Sequence, residues 1–426
     1  MTVSTKPATP AGAPAATWAR WIRPAAFAVG VAVALSVLLW AAQRTIIWWM
    51  ADWNVYYMSS EVVLRGGGDL YDVVAPPLGP DLQFNAPFNY PPFAALLLTP
   101  FSLLGVDALS LVWNTLKMLA LGGVVWVSLG AVAVPRGRRR LVLTAVVVTL
   151  VQFLDPVLQD VQVGNINVFI LLAFLDLMRP QGARGKGVLV GLAAGVKITP
   201  GIFIVYLLLT RQFRAAATAT VTFLGTVAVA FAVLPADSLR YWSSAMWEPD
   251  RVFIPEFTYN QSLRGVVVRL LGNDDNNLLW LALAAVTFVA ALAIGAGLHR
   301  RGMNFEGVLV VAIAMLLISP FSWIAHWVWI VPVLVLLWTM ARRTRSRWLW
   351  ALTVFVLLVF LLRPYMFASF NPLQGYGLSP GAQLLAATFV ITGVLLVALA
   401  EVYRRRGPLP RLTAQGRDAG GRDDLR

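Results

Sequence analysis

Cysteine is absent from all 426 residues, which excludes disulfides and thiolate metal sites. Histidine occurs twice, at His299 and His326, too few for a His-rich metal site. No Asp-X-Asp cluster occurs, so neither a metal nor another cofactor is expected. Charge is sparse: Asp, Glu, Lys and Arg make up 13% of the chain, against about a quarter in a soluble domain. Only four lysines occur, at 6, 117, 186 and 197. What fills the chain instead is apolar: 59% of residues, with 17 tryptophans. That composition excludes a soluble domain and points to an all-α polytopic membrane protein with many Trp near the interfaces.

The net charge of +14 admits two readings, nucleic-acid binding or membrane topology. Distribution decides between them. The cations fall in short clusters between apolar runs: "PRGRRR" (135–140), "RPQGARGKG" (179–187), "RQFR" (211–214), "HRR" (299–301), "ARRTRSR" (341–347) and "YRRRGPLPR" (403–411). This is the positive-inside pattern, and no nucleic acid is needed to explain it. Residues 1–20 are rich in Pro, Ala and Thr and read as a disordered cytoplasmic arm. Residues 21–403 form the transmembrane domain, and 404–426 a basic disordered tail.

A span needs about 20 apolar residues. Segments are placed at 22–45, 107–133, 141–156, 164–178, 215–234, 278–298, 306–319, 325–340, 348–363 and 381–402. The stretch 187–210, "GVLVGLAAGVKITPGIFIVYLLLT", decides the count. As one span it would put the flanking basic clusters on opposite faces. Pro200 disfavours a continuous helix, so two short helices with Lys197 at their tip are predicted. About twelve spanning or partly spanning helices follow, with both termini cytoplasmic in the inner (plasma) membrane. Nine cations then fall elsewhere than on the cytoplasmic side: Arg44, Arg65, Lys117, Lys197, Arg240, Arg251, Arg264, Arg269 and Arg363.

The outer segments, roughly 46–106, 235–277 and 320–324, carry the candidate chemistry. Asp52 stands at the start of the first outer loop, either as an inert interfacial cap or as a functional carboxylate. Tyr90-Pro91-Pro92 gives a rigid, extended entry into an apolar segment too short to span. Asn165 and Asn167 in "GNIN" can cap a helix or meet a sugar hydroxyl. Arg264 in "YNQSLRG" suits a phosphate, or a surface ion pair with Asp250 or Glu256. His326, among Trp323, Trp327 and Trp329, is either packed in an aromatic belt or catalytic.

"ADWNVYY", "FNYPPFAALL", "GNIN", "GVKITP", "YNQSLRG" and "SPFSWIAHWVW" occur in the order found in glycosyltransferase family 87, which the chain resembles from about Asp52 to His326. The family often has "PFTYPP", "GQ(I/V)N" and two adjacent histidines where this chain has "PFNYPP", "GNIN" and Ala325-His326. The resemblance implies a GT-C fold with its active site on the outer face. It implies an inverting mannosyltransferase using a polyprenyl-phosphate-mannose donor and a lipid-anchored mannoside acceptor within the membrane lipids, forming an α-1,2 linkage. The family's acidic base on the first outer loop corresponds to Asp52, with His326 as its expected partner. Donor and acceptor contacts are expected from Tyr56, Tyr90, Asn165, Asn167, Lys197, Asn260, Gln261, Arg264 and Trp327. A related transferase for another polyprenyl-linked sugar, such as arabinofuranose or glucose, and a lipid or solute transporter are the alternatives.

Overall fold

The structure is a computed structural model, and it describes residues 26–27, 30–41, 50–66, 69–75, 86–248, 255–274, 277–369 and 375–406. The expected arm and nearly all of the expected tail lie outside these residues, as do Arg44 and Arg251. The described chain is helical apart from one two-residue antiparallel ladder, Val74–Ala75 against Ala86–Pro87.

Among the described residues, four helices are long and apolar enough to cross a membrane: Val106–Ala131, Phe213–Val233, Asn277–Arg300 and Ile324–Thr344. Two further spans form if bent pairs are counted. Arg138–Val151 turns by 76° into Asp155–Gln162, and Pro380–Ala386 turns by 66° into Thr388–Arg406. Asp155-Pro156 and Ser379-Pro380 stand at the start of the second helix of the first pair and the first helix of the second. Shorter apolar helices, among them Asn304–Ile318 and Arg347–Leu362, fill the rest. Fifteen residues rise about 22 Å, short of a hydrocarbon core of about 30 Å. The protein is an all-α membrane protein. Its centre is formed by Asn304–Ile318, buried along nearly its whole length, and Ile324–Thr344.

The segments read from the sequence as outer are more helical than a loop reading allows. Asp52 is not in a loop but in the first turn of helix Ala51–Arg65, where an acidic side chain complements the helix dipole. Pro91 is extended, and Pro92 opens helix Pro92–Ser102 at a position that needs no amide hydrogen.

The break at Lys197 is as the sequence predicts. Helix Val188–Val196 ends there, a 3₁₀ turn Thr199–Gly201 follows, and Ile202–Leu209 continues. The packing shows that the pair is a hairpin. Gly187 lies against the Ala215 carbonyl, Gly191 against Ala219 and Thr222, and Gly195 against Thr226. Rising numbers on both sides mean that Val188–Val196 runs parallel to Phe213–Val233. The chain that leaves Gly187 has therefore returned beside it by Ala215. The basic segments 179–187 and 211–214 share one end of the fold, and Lys197 sits toward the other. A Cβ at any of these three glycines would collide with the facing helix, so the seam is close backbone packing.

This arrangement is testable by labelling. Single cysteines at the exposed positions Arg184 and Arg214 should react with an impermeant maleimide from the same side of sealed vesicles. Opposite sidedness would mean that the 187–210 segment crosses the membrane once.

Candidate active site

The site is assembled on a turn. Helix Asp155–Gln162 ends and the chain turns through Gly164, which has a positive φ of 74°. The first amides of helix Ala51–Arg65 dock on that turn: Met50 N donates to Gln162 O and Asp52 N to Val163 O, both at 2.8 Å. Helix N-termini need such acceptors, and here they fix where Asp52 stands. Trp113 Nε1 donates to Gly164 O at 3.0 Å from beneath.

A continuous chain of polar contacts starts at Asp52. Asn165 Nδ2 donates to Asp52 Oδ2. Asn165 Oδ1 accepts from Asn167 N at 3.0 Å and from Asn167 Nδ2 at 2.6 Å. Lys197 Nζ donates to Asn167 Oδ1 at 3.2 Å and lies 2.8 Å from His326 Nε2. Trp323 N donates to His326 Nδ1 at 3.1 Å. Five residues from four separated stretches, all singled out from the sequence, are thus joined. Asn165 and Asn167 are buried, whereas Asp52, Lys197 and His326 keep partial exposure. Lys197 and His326 face a cleft, and Asn165 and Asn167 connect Asp52 to it. Asn167, Lys197, Ser319, His326 and Trp329 line its pocket.

Tyr56 and Tyr90 form the adjoining wall. Their hydroxyls are 3.0 Å apart, and Lys197 Nζ sits 5.6 Å from the centre of the Tyr90 ring. Although partly exposed, Asp52 is set deep enough for burial to push its carboxyl above the ordinary carboxylate range. The Asn165 hydrogen bond and the charges of Lys197 and Lys117 oppose that rise. A carboxyl in this setting can take a proton more readily than a free one. Among the described residues, no three His, Cys, Asp or Glu side chains form a metal site.

The remaining candidates are placed differently. Asn260 is buried, with Nδ2 donating to Pro255 O and Pro320 O and Oδ1 accepting from Ser322 N. Gln261 donates to Thr258 O and Ala386 O and accepts from Phe389 N. Both side chains bind backbone, so they pin the turn before His326 instead of presenting amides to a substrate. Trp327 is fully buried; its indole donates to Gln261 O and its ring packs on Phe360 and Phe389. Arg264 is joined to Asp274 at 2.9 Å and lies over the Trp280 and Phe321 rings, and Asp250 lies outside the described residues.

Two residues that were not candidates underlie the site. Lys117 and Asp160 form a fully buried ion pair at 2.8 Å, and Lys117 Nζ also donates to Asp160 O at 2.6 Å. Asp160 Oδ2 in turn accepts from Val168 N at 3.3 Å, and Asp160 O accepts from Asn165 N at 2.9 Å. The pair holds both ends of the 160–168 turn. The signal was present in the sequence, because Lys117 is a lone charge inside an apolar helix. Seven of the nine cations expected away from the cytoplasmic side are described, and six of them face carboxylates or carbonyls. Lys197 differs, since its recorded partners are an amide and an imidazole.

Apolar helices close over a carboxylate, two amides and a lysine–imidazole pair, and this cluster is the candidate site of a membrane protein. The profile of Glycosyltransferase family 87 matches residues 88–320, more than half of the chain, and the chain belongs to that family. The protein is a glycosyltransferase. Asp52 and His326 lie outside the matched range, on either side of it. A polyprenol-phosphate-mannose-dependent alpha-(1-2)-phosphatidylinositol pentamannoside mannosyltransferase of Mycolicibacterium smegmatis is 36% identical over 288 residues, covering 66% of this chain and 68% of that relative. The protein of the same description from Mycobacterium tuberculosis is 35% identical, covering 68% of this chain and 66% of the relative. A phosphatidylinositol mannoside mannosyltransferase of M. tuberculosis is 30% identical, covering 69% and 71% respectively. No solved structure gives a significant match.

Removing Lys117 tests the foundation of the site. Lys117→Met leaves Asp160 buried without its counter-ion and should destabilise the protein by about 3–5 kcal/mol. The check is thermal unfolding of the purified protein in detergent. Lys117→Met combined with Asp160→Leu should recover part of the loss, and equal loss in both variants would contradict the pairing.

Proposed function

We propose that this glycosyltransferase moves mannose from polyprenyl-phosphate-mannose to a lipid-anchored phosphatidylinositol mannoside or lipomannan-type acceptor, forming an α-1,2 linkage by inversion. The observation that carries the reading is the unbroken contact chain from Asp52 to His326, with an acceptor-side base at one end and phosphate-binding donors at the other. The names of the relatives supply the sugar and the lipid.

The chemistry follows from the charges. The donor's anomeric carbon lies between the two ends of the chain. An acceptor hydroxyl attacks it while Asp52 takes the hydroxyl proton, and the carbon–oxygen bond to phosphate breaks on the opposite face. An α product from a single displacement requires a β-linked donor. Negative charge collects on the leaving phosphate, where Lys197 and His326 offer donors. The Tyr56–Tyr90 wall borders the sugar. Of the two cations expected at the phosphate, Lys197 and Arg264, the contact is assigned to Lys197, because Asp274 holds the Arg264 guanidinium.

We place the site on the outer face of the inner membrane. The support is the hairpin, which sets Lys197 at the end opposite two basic clusters, together with the positive-inside rule. On the same reading both termini are cytoplasmic. The bent and short helices are partly spanning members of a GT-C arrangement of about twelve.

Asp52→Asn keeps an oxygen to accept from Asn165 but cannot take a proton. It should fold, bind donor and lose turnover by about 100- to 10,000-fold, measured with purified lipid donor and acceptor. Near-normal turnover would refute the base assignment. Because Asp52 is active only when ionised and its carboxyl is raised, the acidic limb of the wild-type kcat/KM profile should lie above the usual carboxylate value of about 4. Lys197→Met should raise the donor KM by roughly 10- to 150-fold, corresponding to loss of a charged hydrogen bond, while acceptor KM changes little. A panel of polyprenyl-linked sugars run in the same assay tests mannose against arabinofuranose and glucose.

A further inference from the structure

Lys197 and His326 meet nitrogen to nitrogen, and this limits how many protons the two can hold. At 2.8 Å between Lys197 Nζ and His326 Nε2 a hydrogen bond contains one hydrogen. An ammonium has only donors, and so has a protonated imidazole. Two fully protonated partners would set N–H against N–H. At least one of them is therefore short of a proton. The second ring nitrogen agrees: His326 Nδ1 accepts from Trp323 N at 3.1 Å, which a doubly protonated ring cannot do. The pair carries at most one positive charge.

The groups facing the pair come from every wall of the cleft. The carboxylates of Asp52 and Asp160 act on Lys197 through space, and Asp160 is already matched by Lys117. The Tyr90 ring covers Nζ, Asn167 Oδ1 accepts from it, and the Phe321 carbonyl faces His326. None of these supplies a second proton to the pair.

The proposed reaction produces both a proton and a new negative charge. The acceptor oxygen bonds to the anomeric carbon, the bond from that carbon to phosphate oxygen breaks, and the hydroxyl proton goes to Asp52. The donor is a phosphodiester with one negative charge. The departing lipid phosphate is a monoester, a dianion above its second pKa of about 6. The charge lost at Asp52 and the charge gained at the phosphate lie at opposite ends of the contact chain, so the phosphate end needs one more positive charge after transfer than before it.

We infer that the Lys197–His326 pair takes up one proton from solvent when it holds a phosphate monoester. The shared hydrogen bond opens, and each nitrogen donates a hydrogen of its own to a phosphate oxygen. The inference rests on the proposed function for the kind of anion bound, and not on which sugar is transferred.

Calorimetry of the full-length protein in detergent tests it. A short-chain prenyl phosphate is titrated at about pH 8, where the monoester is already a dianion, in two buffers of different ionisation enthalpy. The difference in heat counts protons. Wild type should take up about one proton per phosphate bound. His326→Gln, whose amide oxygen accepts from a fully protonated Lys197, should bind with uptake well under half of that. Binding by wild type without proton uptake, or equal uptake in His326→Gln, would overturn the inference. If the protein transferred no mannose at all, the proton count would still be read from binding, so the two results fail separately.

Discussion

Two opposite charges with no water around them, Lys117 and Asp160, set the frame on which the site depends. Removing both from water is expensive, and the geometry offsets it by using nearly every polar atom nearby: the lysine reaches both a carboxylate oxygen and a backbone carbonyl of Asp160. The other carboxylate oxygen holds Val168 N, and the Asp160 carbonyl also holds Asn165 N. The turn so fixed presents the Gln162 and Val163 carbonyls to the start of helix Ala51–Arg65. Asp52 is thus tied twice to the same few residues, by its amide to Val163 and by its carboxylate to Asn165. A group on one helix becomes part of a rigid unit built on another.

Much of the architecture was legible because charge and proline act locally. Basic clusters marked one end of the fold. Pro200 and the single Lys197 marked the hairpin, and its two helices fall where the apolar runs on either side end. The number of full spans was less legible. A bend of 76° before Asp155–Gln162 leaves the apolar count unchanged, so hydropathy reads one straight span where the chain turns aside. Helix Ala51–Arg65 was missed for a similar reason. Its residues are mixed in polarity because one side faces the fold and the other the surface, and such a pattern reads as loop.

Within the site, the residues best placed from the sequence were those whose presence near apolar segments had no cheap alternative: Asp52, Lys197 and His326. Asn165 and Asn167 could be read as caps or as ligands, and the structure uses them to join the other three. Asn260, Gln261 and Trp327 looked equally suited to meet a sugar. Their hydrogen bonds are instead taken by distant backbone groups at Pro320, Ser322 and Ala386, partners that no local pattern reveals. Polar type is a property of the residue, whereas satisfaction is a property of the fold. Arg264 makes the same point through Asp274, ten residues on and beyond a helix.

The glycine seam has a mechanical meaning. Gly187, Gly191 and Gly195 bring Val188–Val196 against Phe213–Val233 with only the short Thr222 and Thr226 side chains in the seam, which leaves little to absorb a shift. Lys197 follows the last turn of that helix directly. Its height and bearing are therefore inherited from a backbone lattice. One residue inserted between Gly195 and Lys197 would rotate the ammonium by about 100° and lift it about 1.5 Å, with nothing to compensate. The cation wall of the cleft is a fixed datum. The adjoining wall is held differently, since Tyr56 and Tyr90 meet there through side chains alone.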